Sequence, residues 1–119
     1  YSFELASAPS GLRVPAGDYR LVSGQAVRST ESVQIRTGRM APIHVTADSR
    51  VVVEWGGPIA AEFDYRVAGT EITVAADVRF YGQQGEEYHT FKPDAKSPKI
   101  LIADANTGKL LESGRFGGC

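Results

Sequence analysis

"AEFDYRVAGTEITVAADVRF", residues 61–80, decides the fold class. Phe63, Tyr65 and Val67 fall on every second position, and beyond Gly69 the rhythm resumes at Ile72, Val74, Ala76, Val78 and Phe80. Period-two alternation broken by a glycine reads as half-buried strands joined by a turn. Gly69, inside "VAGTE" (67–71), supplies the positive φ that such a turn requires.

The same rhythm extends in both directions. Phe3 and Leu5, Tyr19 and Leu21, Val33 and Ile35, Ile43 and Val45, and Val51, Val53 and Trp55 alternate before it; Ile100, Ile102 and Leu110 follow it. No segment sustains a 3.6-residue period. Only "GQQGEEYHTF" (82–91) has the composition for a helical turn, between Gly85 and Pro93. The expected fold is therefore all-β: antiparallel β-sandwich units with little or no helix. "EWGGP" (54–58) is the expected boundary, because Pro58 removes a ladder donor and paired glycines loosen the chain. It divides the chain into two small packed β units, 1–56 and 57–119.

Composition narrows the function classes. A chain of 119 residues with 42% hydrophobic and 23% charged residues has the make-up of a packed domain, able to fold without metal or disulfides. The net charge is -1, with six Arg and five acids up to Trp55 and seven basic residues and nine acids beyond it. Neither part carries the basic excess that nucleic-acid binding demands. No apolar run approaches the ~20 residues of a membrane-spanning helix. Tyr1 opens directly into the strand-like "YSFELA", so the chain is expected to be cut from a longer protein. Cys119, the one cysteine, follows two glycines, a tether too loose to hold a nucleophile or metal ligand among rigid neighbours.

In "GLRVPAGDYRLVSG" (11–24), Pro15 presets φ at the second position of a turn and Gly17 takes the fourth, which favours type I. Leu12 and Val14 enter on one face, and Tyr19 and Leu21 leave on one face, so a hairpin corner is expected here. "LRVPAGDYRL" followed by "SVQIRTGRMAPIHV" resembles PEGA-type and carboxypeptidase-regulatory-like (transthyretin-like) β-sandwich modules over about residues 12–53. The remainder resembles an immunoglobulin-like sandwich in outline, without its Cys, Trp and Cys spacing. These resemblances imply a non-catalytic spacer or docking module of a larger exported or surface protein. They also imply an extracytoplasmic location, with neighbouring domains, another protein or a polysaccharide as partner.

Chemistry-bearing residues are sparse. His44 and His89 stand far apart, with no third ligand marked by spacing. "DANTGKLLE" (104–112) places Asp104 and Asn106 as a calcium loop would, but Gly108 comes one position early and Lys109 adds a positive charge. Glu62 and Asp64 share one strand face, the arrangement of a glycosidase pair, yet Arg66 continues that face as an ion-pair partner. No phosphate loop, dinucleotide fingerprint or nucleophile elbow occurs. No catalytic residue, metal or cofactor is therefore assigned.

The best candidate binding surface is "RFYGQQGEEYHTF" (79–91), where Tyr81, Gln83, Gln84, Glu86, Glu87, Tyr88 and His89 combine rings with amides and carboxylates in the manner of sugar recognition, with Tyr81, Gln83, Glu87, Tyr88 and His89 as the binding residues. Tyr88 better suits a structural corner, its ring capping the core and its hydroxyl holding a backbone group, as in many sandwiches. Trp55 is expected to plug the junction between the two β units, and Pro15, Gly17 and Tyr19 to build their corner.

Overall fold

The computed structural model describes Phe3, residues 10–90 and residues 99–116. Its regular elements are all strands: β1 (Gly17–Tyr19), β2 (Ser23–Arg28), β3 (Glu31–Arg36), β4 (Ile43–Val45), β5 (Ala60–Glu62) and β6 (Tyr65–Ala68). They continue with β7 (Glu71–Val74), β8 (Arg79–Tyr81), β9 (Glu87–His89), β10 (Lys99–Ala103) and β11 (Leu110–Arg115). The protein is all-β, and every pairing is antiparallel.

The central sheet runs β2-β3-β9-β8-β5, and three two-stranded ladders, β1-β4, β6-β7 and β10-β11, surround it. β3 hydrogen-bonds to β9, so the sheet draws on chain from both sides of Trp55–Pro58. The expected boundary at 56–57 thus falls within one shared sheet, because backbone pairing joins the two parts.

Register gives that sheet two unlike faces. Gly24, Ile35, Tyr88, Phe80 and Ala61 form one continuous cross-strand row. Ser23, Arg36, Glu87, Tyr81 and Ala60 form the parallel row on the other face. The first row is apolar and contains Ile35, 7% exposed; the second carries ions.

Turn chemistry explains the hairpins. β2 and β3 are joined by Ser29 and Thr30, with Ser29 at φ 55. β6 and β7 are joined by Gly69 and Thr70, with Gly69 at φ 61, where glycine pays no Cβ penalty. In the β10–β11 loop the Asp104 carboxylate accepts the N–H groups of Asn106 and Thr107 at 2.9 and 2.8 Å and the Thr107 hydroxyl at 3.0 Å. These bonds, the Thr107 N–H first, hold its pKa below the usual carboxylate value.

Several expected elements take another form. No hairpin closes at Pro15: residues 11–15 make no ladder, and β1 pairs instead with the distant β4. Pro15 lies ahead of the strand, where its missing N–H breaks no pairing, and the Tyr19 hydroxyl donates to its carbonyl at 2.7 Å. The alternation from Ile72 to Phe80 divides into β7 and β8, which enter different sheets, with the Ala75 N–H turned back to the Asp64 carbonyl at 2.8 Å. Val51 to Trp55 forms no ladder, and the stretch after Gly82 is a tight turn leading into β9 rather than a helical one. The strand expected at residues 1–6 lies, apart from Phe3, outside the described residues, as does Cys119.

The molecule is extended, with a radius of gyration of 18.7 Å and dimensions of 57 × 32 × 23 Å. A compact chain of this length would have a radius of ~13.5 Å. Its accessible surface of 9395 Å² likewise exceeds the ~6,300 Å² expected for this mass. Few side chains are fully enclosed, and those few carry much of the packing energy. Ile35→Ala is expected to cost about 2–4 kcal/mol in a urea titration, while exposed Val27→Ala shifts it by less than about 0.5 kcal/mol. Equal effects of the two changes would disprove this distribution of the core.

Candidate functional site

The segment singled out for binding, residues 79–91, forms the centre of a polar knot that ties three loops together. Its turn begins with the Gly82 N–H donating to the Glu86 carbonyl and the Gly85 N–H donating to the Gly82 carbonyl, at 2.8 and 3.0 Å. Gly85 adopts φ 86 to close it. The Glu86 side chain then folds back over Gly82, where a Cβ would lie 1.9 Å from Glu86 Oε1. No residue but glycine leaves that space.

Glu86 is 0% exposed, and the groups around it are donors. Its Oε1 accepts the Gly56 N–H at 2.7 Å and the Tyr88 hydroxyl at 3.1 Å; its Oε2 accepts the Gln84 N–H at 3.0 Å. A buried carboxyl would otherwise carry a large desolvation cost, and these three bonds offset it. The Gly56 carbonyl completes the link by accepting the Gln83 N–H at 3.0 Å. Burial, aided by the bond to Glu86 and its charge, pushes the Tyr88 phenol up to about 12. Trp55, next to Gly56, is half-buried, and its indole N–H is enclosed without a hydrogen-bond partner among the described residues.

A second loop locks against the first. The Arg39 N–H donates to the Gly85 carbonyl at 2.8 Å, and the Met40 N–H to the Thr37 carbonyl at 2.9 Å. Gly38 sits at φ 55, where a Cβ would lie 2.7 Å from the Gly85 carbonyl oxygen. The Thr37 hydroxyl donates to the Leu21 carbonyl, anchoring the loop to the chain ahead of β2.

The outer face of the sheet is laced with ion pairs. Arg36 grips Glu87 through two bonds, of 2.9 and 2.8 Å, across the β3–β9 pairing. The bond from Arg36 is the chief cause that holds the Glu87 carboxyl below its ordinary value. Arg39 reaches Glu62 at 2.7 Å while its guanidinium lies 4.2 Å from the centre of the Tyr81 ring, a cation–π contact over a buried tyrosine. Arg79 pairs with Asp64 at 3.0 Å.

The candidate residues therefore have separate fates. Tyr81, Glu87 and Tyr88 are drawn into the knot and its ion pairs. Gln83 keeps an exposed side chain and contributes its backbone; His89 is exposed at the end of β9. Glu62 and Asp64 engage different arginines, and His44 lies beside Asp18 on the β1–β4 ladder. Among the described residues no group of three or more His, Cys, Asp or Glu is placed to hold a metal ion. No described helix is long and apolar enough to cross a membrane. Sequence reasoning counted Glu86 among the polar residues of the 79–91 loop without giving it a buried role, and did not single out Gly82 or Gly38. The available signal was the Gly-Gln-Gln-Gly-Glu-Glu run, whose two glycines mark a tight turn around an acid.

No protein family matches the chain, and neither do any curated protein or solved structure.

Glu86→Ala should cost about 3 kcal/mol, because it leaves three part-buried donors without an acceptor, and Tyr88→Phe about 1 kcal/mol. Urea titration of both variants checks the order. Glu87 titrates below its ordinary 4.5 when folded, so its stabilisation is full above that pH and fades as pH falls through the folded value. Wild type and Glu87→Gln should accordingly differ in melting temperature at neutral pH and converge in acid. Tyr88 has the opposite sign: its folded value is raised, so its contribution is full below pH 10 and is lost as pH climbs toward about 12.

Proposed function

We propose that this chain is a non-catalytic structural or interaction module of a larger exported or surface protein, a β-sandwich-like unit that docks through the apolar face of β6–β7. One observation carries the reading. Register places Tyr65, Val67, Ile72 and Val74 together on one face of that ladder, with Arg66, Thr73 and Glu71 on the other. Tyr65 is 66% and Val67 57% exposed. A two-stranded ladder is marginal in water unless its apolar face is covered, so this hairpin calls for a neighbouring surface. Leu101, Leu110 and Leu111 on β10–β11 are exposed as well.

The engaged carboxylates favour a module over an enzyme: Glu86, Glu87, Glu62 and Asp64 all serve hydrogen bonds or ion pairs that hold loops and strands. The hollow between Met40–His44 and Val51–Val53 measures about 230 Å³ and has only His44 and Gln84 as polar side chains. Small-molecule sites are usually larger, ~300–1,000 Å³, with several convergent polar groups. The PEGA-like or transthyretin-like relationship and the extracytoplasmic location belong to this same reading, through the "LRVPAGDYRL" likeness. Carbohydrate binding at 79–91 draws less support, because Tyr81 lies beneath Arg39 and the Tyr88 hydroxyl is bound to Glu86.

Amide hydrogen exchange tests the docking face. The β6–β7 amides should exchange rapidly in the isolated chain and gain about tenfold protection in the parent protein. Unchanged exchange would reject docking there. Amide NMR shifts confined to residues 79–90 on adding soluble polysaccharide or peptidoglycan fragments would instead establish the sugar site.

A further inference from the structure

The two edges of the central sheet are built differently. β5 has three residues and follows Pro58, which has no N–H to offer. The Gly82 N–H bond to the Glu86 carbonyl fixes the hydrogen-bond alternation on β8, so Ala60 and Glu62 direct their backbone groups inward to Tyr81 and Arg79. Ala61 alone within β5 points its pair outward. Shortness and an adjoining proline are ordinary ways of closing an edge.

β2, at the other edge, has none of these guards. It runs for six residues, Ser23–Arg28, without proline, lysine or bulge. The two-residue loop at Ser29 and Thr30 makes Arg28 and Glu31 a hydrogen-bonded pair, and alternation gives the same role to Ala26 with Val33 and Gly24 with Ile35. The backbone N–H and C=O groups of Ser23, Gln25 and Val27 therefore face away from β3. Among the described residues no strand pairs with them.

We propose that this edge pairs with the same edge of a second copy, antiparallel, about a two-fold axis at Gln25. That register sets Gln25 against Gln25 of the second copy, Ser23 against Val27, and Val22 against Arg28. Three outward pairs then exchange about six backbone hydrogen bonds. The side chains suit this partner. No like charges stand directly opposite, and each Arg28 already has Glu31 across from it within its own hairpin. Val22 and Val27, 81% and 66% exposed, gain neighbours in the Arg28 stem and the Ser23 methylene. A net charge of -1 puts almost no overall repulsion between copies. The result is a continuous sheet with the three-residue β5 at each end. This contact is separate from the β6–β7 face and does not depend on it.

Sedimentation velocity from low micromolar to submillimolar concentration tests the pairing, in a Cys119→Ser background that removes thiol cross-linking. The mass should rise from 12.8 kDa to twice that value. Gln25→Pro, which deletes an N–H directed away from β3, should remain monomeric with an unchanged far-ultraviolet circular dichroism spectrum. If that variant loses its spectrum, cross-linking decides. Gln25→Cys should oxidise to a covalent dimer several times faster than Ser32→Cys, which lies on the interior strand β3. A wild type that stays monomeric throughout overturns the proposal, as does equal cross-linking at the two positions. So does a dimer that survives in folded Gln25→Pro, or one abolished only by Val67→Asp, which would assign the contact to β6–β7.

Discussion

The enclosure of Glu86 is the constraint on which the rest of the central sheet depends. Its carboxyl joins the β8–β9 turn to the loop before β5 through Gly56 and to β9 through Tyr88. Burying a carboxyl without donors would destabilise the fold by more than a small core can offset, so turn and loop must take positions that supply the N–H groups. The contacts that make this possible are steric as well as polar. Gly82 leaves the space the side chain occupies, and Gly38 allows the neighbouring loop to approach Gly85.

The same arrangement explains why the outer face is ionic. Once β9 lies between β3 and β8, Arg36 and Glu87 are direct cross-strand neighbours, and Tyr81 follows in the same row. Arg39, carried by the loop bound to Gly85, then reaches over the tyrosine to Glu62 on β5. Bidentate geometry gives these pairs a directional role beyond that of scattered surface charges. The acids and rings that attract functional interest in the sequence thus hold strands in register. The apolar hairpin β6–β7 forms a ladder of its own outside that sheet and keeps Tyr65 and Val67 exposed.

Legibility varied with the range of the interaction. Alternation around Gly69 identified the β6–β7 hairpin because period and turn residue lie within ten positions of one another. In the Asp104 loop, Gly108 and Lys109 already argued against calcium from positions within the loop itself. Pro15 and Gly17 were misleading: they suit a hairpin locally, but β1 found its partner in β4, 26 positions away at the Asp18–His44 pair. Ile72 to Phe80 read as one strand, since alternation carries no information about where a chain leaves one sheet for another. Tyr88 was seen as a candidate corner, whereas its acceptor, the side chain of Glu86, was hidden within an ordinary polar run.

What the sequence determined by itself was the class of structure: period-two patterning commits these residues to strands, and glycines at positive φ commit the chain to particular turns. Tertiary structure alone decided that β3 would lie against β9, that a carboxyl would be buried beneath Gly82, and that the six-residue β2 and the three-residue β5 would form the two edges of the central sheet. Local patterns record which face of a strand is apolar. Which strand becomes its neighbour depends on hydrogen bonds and contacts between distant residues, and those exist only once the chain has folded.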